Sequence, residues 1–311
     1  MPPNYNGSKK VTYLGGGPVY RVPAGEPGAG GLLLVYQGAY DTDDQPQGGW
    51  YSFLGIAKST NDGLTWTDLG VAIRSTAPPE HTLTVDIGDG DLVDSGTADP
   101  TGRYFYIYFP DLCTYSTGGI CGGKSYSFGI DKGMAVARVD YEEFLSAAFS
   151  GAPTPPPLPE FKKFYDKSVT PWLAPTGNFK ALYDTKYWQE PGIGGNSTDV
   201  WNPSSPYAGD MNVKWNAYLN SFVAIFNTGG HQIGYAFSPD GLDWTPVVTI
   251  VTSSGNPAAN LGSSTLVGAD EDPNILGSKF YAFYLVYPTN GTGWNDATLN
   301  RITVECSTGA P

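Results

Sequence analysis

The stretch GIAKSTNDGLTWT at residues 55–67 recurs as GYAFSPDGLDWT at residues 234–245. Both copies contain a strand-like run, a turn that carries Ser, Asp-Gly and Trp, and the start of a second strand-like run. In such a turn the Asp carboxylate accepts backbone N–H groups, the Gly adopts the positive φ that the turn needs, and the Trp packs the turn onto its sheet. The repeat therefore predicts two related β-hairpins and decides the fold.

The remainder of the chain is also typical of β-structure. Short runs rich in β-branched and aromatic residues alternate with turns, and 41 Gly and 26 Pro among 311 residues supply those turns. One short helix is predicted at Asp140–Ala148, with Asp140 as its N-cap and acidic residues in its first turn. The sequence therefore predicts a large all-β fold.

The two repeated turns resemble Asp-boxes, the hairpins that join outer strands in the blades of β-propellers. Alignment on these turns gives four blades, at about residues 15–73, 84–170, 210–251 and 270–306. A fifth blade comes from residues 171–209, or the strand Lys10–Leu14 completes the last blade and closes the ring. We therefore expect residues 1–311 to form a single all-β domain, a β-propeller with five blades of four antiparallel strands.

The charge of the chain argues against a nucleic-acid partner. The sequence has 17 Lys+Arg and 30 Asp+Glu, which gives a formal net charge of −13 and repels a polyanion at neutral pH. No apolar stretch approaches the roughly 20 residues that cross a bilayer, and the longest, Leu32–Tyr36, is strand-sized. We therefore expect a soluble monomer without a nucleic-acid or membrane partner.

Cysteines and glycosylation sequons together favour secretion. Cys113 and Cys121 lie in one Gly- and Ser-rich loop at a spacing that suits a local disulfide, while Cys306 is left over as a buried apolar side chain. The first residues lack the basic and apolar regions of a signal peptide, but a mature secreted chain would lack them too, so this does not argue against secretion. Three sequons fall in turn-rich segments that tolerate a glycan, at Asn6, Asn196 and Asn290. We expect an extracellular, disulfide-bonded glycoprotein.

The segment DPNI (272–275) followed by FYAFY (280–284) resembles a strand pair of the five-bladed propeller glycoside hydrolases, the arabinanase and β-xylosidase class of the family 43 type. Similar pairs occur in the first blade, at GGPV (16–19) with LLLVY (32–36), and in the second, at DIGDG (86–90) with YFYIY (104–108). The resemblance implies a site in an axial funnel, with an Asp base, a Glu acid and a further Asp.

Cleavage of a glycosidic bond requires two carboxyl groups, roughly 5–5.5 Å apart for retention and about 6.5–9.5 Å apart for inversion. Strands that begin near the axis can bring acids of different blades this close, and the candidates there are Asp89, Asp91, Asp210 and Asp272, with Glu271 beside the last. Glu190 lies in a loop between aromatic and Gly-rich residues, where a partly apolar setting would raise its pKa and suit an acid. We predict Glu190 as the acid and Asp272 or Asp89 as the base.

Long acidic and aromatic loops are expected to converge on the face opposite the Asp-box turns, where rigid strands would hold them. Aromatic planes stack on sugars while their polar ends bind hydroxyls. The aromatic candidates for this role are Trp50, Tyr51, Tyr115, Tyr126, Trp188, Trp201, Tyr207 and Trp294. His81, His231 and Asp111 lie in the same loops and are predicted to bind substrate rather than metal, because they lack ligand spacing. No cofactor is expected, and a structural calcium ion stays open.

Two other carbohydrate functions compete with the hydrolase, a sialidase is disfavoured, and a protein-interaction scaffold is a further alternative because one fold hosts many functions. A non-catalytic carbohydrate-binding propeller would use the same aromatics, and a polysaccharide lyase would use Tyr or His as a base. A sialidase needs an arginine cluster to bind a carboxylate, whereas the arginines here are spread along the chain. The leading expectation is a secreted hydrolase of a polysaccharide or oligosaccharide.

Overall fold

The computed structural model describes residues 11–42, 49–75, 83–88, 90–115, 119–121, 124–126, 134–152, 154, 156–166, 185–195, 197–200, 209–227, 232–253, 259–270, 272–288 and 296–307. In these ranges no helix has the length and apolar character needed to span a membrane. The chain divides into two compact units, Met1–Val200 and Trp201–Pro311. The single-domain expectation stays a prediction.

The described part of the first unit is built from strands, one α-helix and one 3-10 helix, the latter at Thr185–Trp188. In chain order its elements are β1 (Tyr13–Arg21), β2 (Leu32–Thr42), β3 (Gly49–Ser59), β4 (Thr67–Ile73), β5 (Leu83–Asp86), β6 (Asp91–Asp94), β7 (Tyr104–Pro110), β8 (Leu112–Tyr115), β9 (Gly119–Cys121), β10 (Lys124–Tyr126), β11 (Met134–Asp140), α1 (Tyr141–Ala148), β12 (Lys162–Lys163) and β13 (Glu190–Pro191).

The first sheet is an antiparallel run of β1, β2, β3 and β4, to which β5 and β8 are added beyond β3. It matches the predicted blade at residues 15–73. One alternative is corrected: Tyr13 and Leu14 pair with Ala39 and Gly38, so they belong to this sheet and do not complete the last blade.

The second sheet has the order β13-β12-β11-β7-β6, and β9 pairs with β10 as a separate ribbon. The predicted helix is confirmed as α1: Asp140 is its N-cap, and its Oδ1 accepts the Glu143 N–H at 2.9 Å. On the helix, Phe144 packs edge-on against Phe105 of β7, with ring centroids 5.9 Å apart. The helix therefore covers one face of this sheet.

A polar cluster joins the two sheets where β1 and β6 end. The Tyr20 hydroxyl donates to Asp94 Oδ2 at 3.2 Å and lies 3.1 Å from the Tyr141 hydroxyl. Arg103 donates to both oxygens of Asp94, at 3.0 and 2.6 Å, and to Glu26 at 2.7 Å. Burial, and then the Asp94 charge, raise the pKa of Tyr20 far above its usual range, so the phenol stays a hydrogen-bond donor.

The second unit contains the remaining strands. They are β14 (Gly209–Asn216), β15 (Ser221–Asn227), β16 (Gln232–Ser238), β17 (Val248–Thr252), β18 (Ala259–Gly268), β19 (Ile275–Leu276), β20 (Lys279–Pro288) and β21 (Thr298–Glu305). One sheet has the order β17-β16-β15-β14-β19 and the other β18-β20-β21. The first matches the predicted blade at residues 210–251.

The last blade begins earlier than the sequence suggested. Residues 259–268, expected to be part of a crossing loop, form β18 and pair with β20. The Leu266 N–H donates to Asn212 Oδ1 at 2.7 Å, and the Asn227 amide donates to the Leu261 carbonyl, so side chains of the neighbouring sheet hold β18 in place. Asp272 consequently lies after the first strand of this sheet and not at its start.

The second Asp-box has the predicted hydrogen bonds. Ser238 Oγ accepts the Gly241 N–H at 2.7 Å, and Asp240 Oδ1 accepts the N–H groups of Leu242 and Asp243 at 2.9 and 2.8 Å. The Trp244 indole N–H donates to the Gly241 carbonyl at 3.2 Å, and the indole is buried. Gly241 has the positive φ of 80° that the turn requires.

The first Asp-box uses a different residue as its acceptor. Ser59 Oγ accepts the Gly63 N–H at 2.9 Å, as expected, but the carbonyl oxygen that accepts the Thr65 N–H at 2.9 Å belongs to Asn61. Asp62 is an extra residue with a φ of 55° and forms an exposed ion pair with Arg21 at 3.0 Å. The prediction that Asp62 organises this turn is therefore wrong, because Asn61 takes that position.

Candidate functional site

Four carboxylates collect at one end of the second sheet, and we call them the strand-end acids. Asp91 begins β6 and Asp111 follows β7, so the antiparallel pairing of these strands puts both at the same end. Asp166 and Asp199 reach this end in the connections that follow β12 and β13. The side chains of Asp91, Asp166 and Asp199 are buried, and that of Asp111 is half-buried.

Residues 197–200 fasten this group to the sheet. The Thr198 N–H donates to the Phe164 carbonyl at 2.9 Å, and the Val200 N–H donates to the Met134 carbonyl at the start of β11 at 2.8 Å. Thr198 Oγ1 accepts the backbone N–H of Asp166 at 2.9 Å. The Ser197 hydroxyl donates to Asp111 Oδ2. The strand-end acids therefore sit on a hydrogen-bonded frame.

The chemistry of this group is that of buried carboxylates. Burying a carboxylate is costly unless it has partners, and all four take part in further interactions besides the bonds above. Such groups can accept hydrogen bonds from sugar hydroxyls or exchange a proton with a bound substrate. Across the described residues, no cluster of three or more His, Cys, Asp or Glu side chains could hold a metal ion.

Glu190 lies at the other edge of the second sheet. It is in β13, where its backbone is opposite Lys163, and β13 is separated from β6 by β12, β11 and β7. Four steps of about 4.8 Å put β13 about 19 Å from β6 along the sheet. The fold therefore does not bring Glu190 together with the acid at the start of β6.

Two predicted sugar platforms are buried inside the first unit. Trp188 stacks on Tyr106 with ring centroids 5.8 Å apart and lies edge-on to Phe164 at 5.3 Å. The Arg138 guanidinium covers it at 4.3 Å from the ring centroid. Tyr51 is also fully buried. Both rings therefore pack against protein side chains in this structure.

Asp272 lies in a turn of the second unit. Its Oδ1 accepts the Asn274 N–H at 2.9 Å, and its carbonyl accepts the Ile275 N–H at 3.2 Å. Asn274 Oδ1 in turn accepts a hydrogen bond from the Lys214 ammonium at 3.1 Å. These bonds give Asp272 a turn-forming role between β18 and β20.

The other predicted residues are described in part or not at all. Asp210 lies in β14, Trp50 in β3, Tyr115 in β8 and Tyr126 in β10. The structure describes the backbone of these four residues but not their side chains. Cys113 and Cys121 lie in β8 and β9 in the same way. Outside the described residues lie Asp89, His81, Trp201, Tyr207, His231, Glu271 and Trp294, together with the sequon residues Asn6, Asn196 and Asn290.

Lys163 is a buried cation that the sequence analysis missed. Its ammonium donates to the Arg74 carbonyl at 2.7 Å and to the Gly195 carbonyl at 2.9 Å. It ties the end of the first sheet to the loop after β13. A single lysine in a two-residue strand carries no local pattern that could have revealed this.

Two cavities lie apart from the strand-end acids. One, of about 160 Å³ in the first unit, is lined by apolar residues that include Ile56 and Phe144. The other, of about 230 Å³ in the second unit, lies between its two sheets and is lined by residues such as Phe237 and Phe280. None of the predicted site residues lines either cavity.

The structure is similar to solved fructofuranosidases. It matches the fructofuranosidase of Schwanniomyces occidentalis complexed with fructose with a TM-score of 0.51 and 12% identity, over 95% of this chain and 45% of that chain. The β-fructofuranosidase of the same organism complexed with fructosyl-erythritol gives 0.51 and 11%, over 95% of this chain and 44% of that one. This chain therefore spans less than half of the length of the proteins it resembles.

No protein-family model matches the sequence, and a search of curated proteins finds no match. At such low identity the structural likeness shows the fold alone, an all-β fold of the β-propeller class with four sheets. The fifth blade, the four strands in every blade and membership of the family 43 class stay predictions.

Proposed function

We propose that this chain is a glycoside hydrolase that cleaves a polysaccharide or oligosaccharide with a pair of carboxyl groups. The fold supports the proposal, because the solved proteins that it resembles are named fructofuranosidases. The observation that carries it is the burial of Asp91, Asp166 and Asp199 at one end of a sheet. A group of carboxylates held in a protein interior is where a proton donor and acceptor for glycosidic cleavage can be tuned.

The assignment keeps Asp89 as a base candidate and adds Asp91, two residues later at the start of β6. It places the acid among Asp111 and Asp199 rather than at Glu190, because β13 is about 19 Å from β6. Secretion, glycosylation and the Cys113–Cys121 disulfide belong to the same proposal. They are tested by the shift in mass on deglycosylation and on reduction of protein purified from its native host.

The experiment measures reducing sugar released from a panel of arabinan, xylan, inulin and agarose. Asp91→Asn and Asp199→Asn are expected to lower the rate by about 10²-fold or more, as the loss of an acid or base does. Glu190→Gln is the matched control, a carboxylate of the same unit on the far edge strand, and should retain the rate within about threefold. A full rate in both aspartate variants, or a loss in Glu190→Gln alone, contradicts this assignment.

A non-catalytic carbohydrate-binding protein is the second candidate. It is favoured by the start of β1, which lies beside Gly90 but, with Gly15, Gly16 and Gly17, does not supply the further acid that the resemblance to the hydrolases implies. This candidate predicts that the wild type is retained by one of the polysaccharides and releases no sugar from any of them. Absence of both retention and release refutes both candidates.

A further inference from the structure

The first Asp-box differs from the second in what it exposes. Leu64 and Trp66 are 84% and 37% exposed, whereas the corresponding Leu242 and Trp244 are buried. The Trp244 indole N–H donates to a backbone carbonyl. The Trp66 indole N–H, by contrast, bonds to none of the residues that the structure describes. The motif itself therefore does not require an exposed indole.

The backbone under Trp66 is rigidly held. Ser59 Oγ and Asn61 Oδ1 accept the backbone N–H groups of Gly63 and Thr65, both at 2.9 Å, and the Asn61 amide donates to Thr65 Oγ1 at 2.8 Å. Gly63 has a φ of 83°, and a Cβ on it would lie 3.5 Å from Trp66 Cζ2, so the indole packs close to the turn. A ligand that stacks on this ring would meet a pre-formed platform, which reduces the ordering cost of binding.

The turn that carries Trp66 also carries exposed polar groups. Arg21 and Asp62 form an ion pair at 3.0 Å with side chains 55% and 78% exposed, and the Thr65 hydroxyl and Asn61 amide are exposed as well. An aromatic plane on a turn that carries hydrogen-bonding groups of both kinds is suited to a sugar ring, which is apolar on its faces and polar at its edge. The net charge of −13 and the exposed Asp68, two residues from Trp66, favour a neutral ligand over an acidic one.

We propose that Trp66 and the polar side chains around it form a surface site for a neutral oligosaccharide, separate from the strand-end acids. The two sites lie at opposite ends of the strands. The ion pair between Asp62 and Arg21 puts the Trp66 turn at the end of β1, where Tyr20 bonds to Asp94 at the end of β6. Asp91 and Asp111 lie at the other end of the strands, where β6 begins. The site would hold a polymer on the protein surface without taking part in bond cleavage.

The test compares retention of the wild type, Trp66→Ala, Trp66→Tyr and Tyr218→Ala on insoluble cellulose, xylan, inulin and agarose. Tyr218 is the matched control, an aromatic residue 44% exposed in a turn of the second unit. We expect Trp66→Ala to lower the association constant at least tenfold on the polysaccharide that binds the wild type. Trp66→Tyr should stay within about threefold because it keeps an aromatic plane, and Tyr218→Ala should be unchanged.

The thermal midpoint and the release of sugar from a short soluble oligosaccharide serve as further readouts. Trp66→Ala should leave the release of sugar unchanged, while its thermal midpoint, compared with that of Trp66→Tyr, shows how much the partly covered ring contributes to folding. The surface site is refuted if Trp66→Ala binds as the wild type does, if Tyr218→Ala weakens binding equally, or if no polysaccharide retains the wild type. Retention that depends on Trp66 without any sugar release would leave this site standing and refute the hydrolase alone.

Discussion

The ion pair between Asp99 and Arg138 allows the sharpest test of what holds the first unit together. Both side chains are buried, and Arg138 is enclosed by the rings of Tyr104 and Trp188 at 4.0 and 4.3 Å from their centroids. Asp99 Oδ2 accepts a hydrogen bond from the Arg138 guanidinium and another, at 2.7 Å, from the Tyr106 hydroxyl. Removing the carboxylate would take from the buried Arg138 its counter-charge, leaving a bond to the Thr101 hydroxyl at 3.2 Å, and would break the bond that Asp99 accepts from the Tyr106 hydroxyl.

The magnitude follows from these contacts. Loss of one partner of a buried ion pair costs about 3–5 kcal/mol, and an unpaired buried hydroxyl costs about 1–3 kcal/mol. We therefore expect Asp99→Ala to lower the free energy of unfolding by about 4 kcal/mol or more. An Asp99→Asn side chain that keeps its oxygen on the Thr101 N–H, which lies 2.8 Å from Oδ1, turns its NH2 toward the Arg138 guanidinium and the Tyr106 hydroxyl, so it should also lose about 3–5 kcal/mol.

Urea denaturation followed by circular dichroism gives the free energies, and hydrogen exchange of peptides from β7 and β11 shows whether the change is local. Arg21→Ala breaks the exposed pair with Asp62 and is the control, with an expected cost below about 1 kcal/mol. The double variant Asp99→Leu with Arg138→Met should recover much of the loss, since it leaves no unpaired charge. A cost for Asp99→Ala no larger than that of Arg21→Ala would refute this reasoning.

Two further predictions concern the buried Lys163 and the half-buried Cys306. Lys163→Met should lower the free energy of unfolding by about 2 kcal/mol because the carbonyls of Arg74 and Gly195 lose their donor. Hydrogen exchange at residues 192–195 should become faster, and unchanged exchange there would contradict the prediction. Burial raises the pKa of the Cys306 thiol, although a bond from Asn216 opposes the shift, so less thiolate is present at pH 8. Alkylation of Cys306, followed by peptide mass spectrometry, should be slower in the folded protein than in urea, and equal rates would show that the thiol is not shielded.

The parts of the fold that depend on short-range chemistry could be predicted from the sequence. Asp140 caps its helix through a bond to a residue three positions later, and each Asp-box turn is closed within six residues of its serine. The strand β18 could not be predicted, because its sequence ANLGSSTLVG is polar, has a register shift and contains Ser263 at a φ of 46°. What stabilises β18 is its pairing with β20 together with the bonds to Asn212 and Asn227, all of which are distant in sequence.

The candidate site was predicted less well for the same reason. Asp91 was a candidate in the sequence because an acid at a strand start is a local pattern, and its role stays a prediction. Asp166 and Asp199 carry no such pattern and are brought to the strand end by bonds between segments 32 or more residues apart. Glu190 was chosen for its aromatic and Gly-rich neighbours, but the pairing of β13 with β12, which fixes its position, involves two residues on each side.

One inserted residue accounts for the difference between the two Asp-boxes. Seven positions separate Ser59 from Trp66, but six separate Ser238 from Trp244, and the extra residue is Asp62 in the left-handed conformation. An added residue changes the direction in which the chain leaves the turn. The same hydrogen-bonded start therefore leads to a buried indole in one box and an exposed one in the other. Deletion of Asp62 should bury Trp66, seen as a blue shift of its fluorescence, and should abolish the polysaccharide retention that we attribute to it; exposure and retention that survive the deletion would show that other contacts orient the ring.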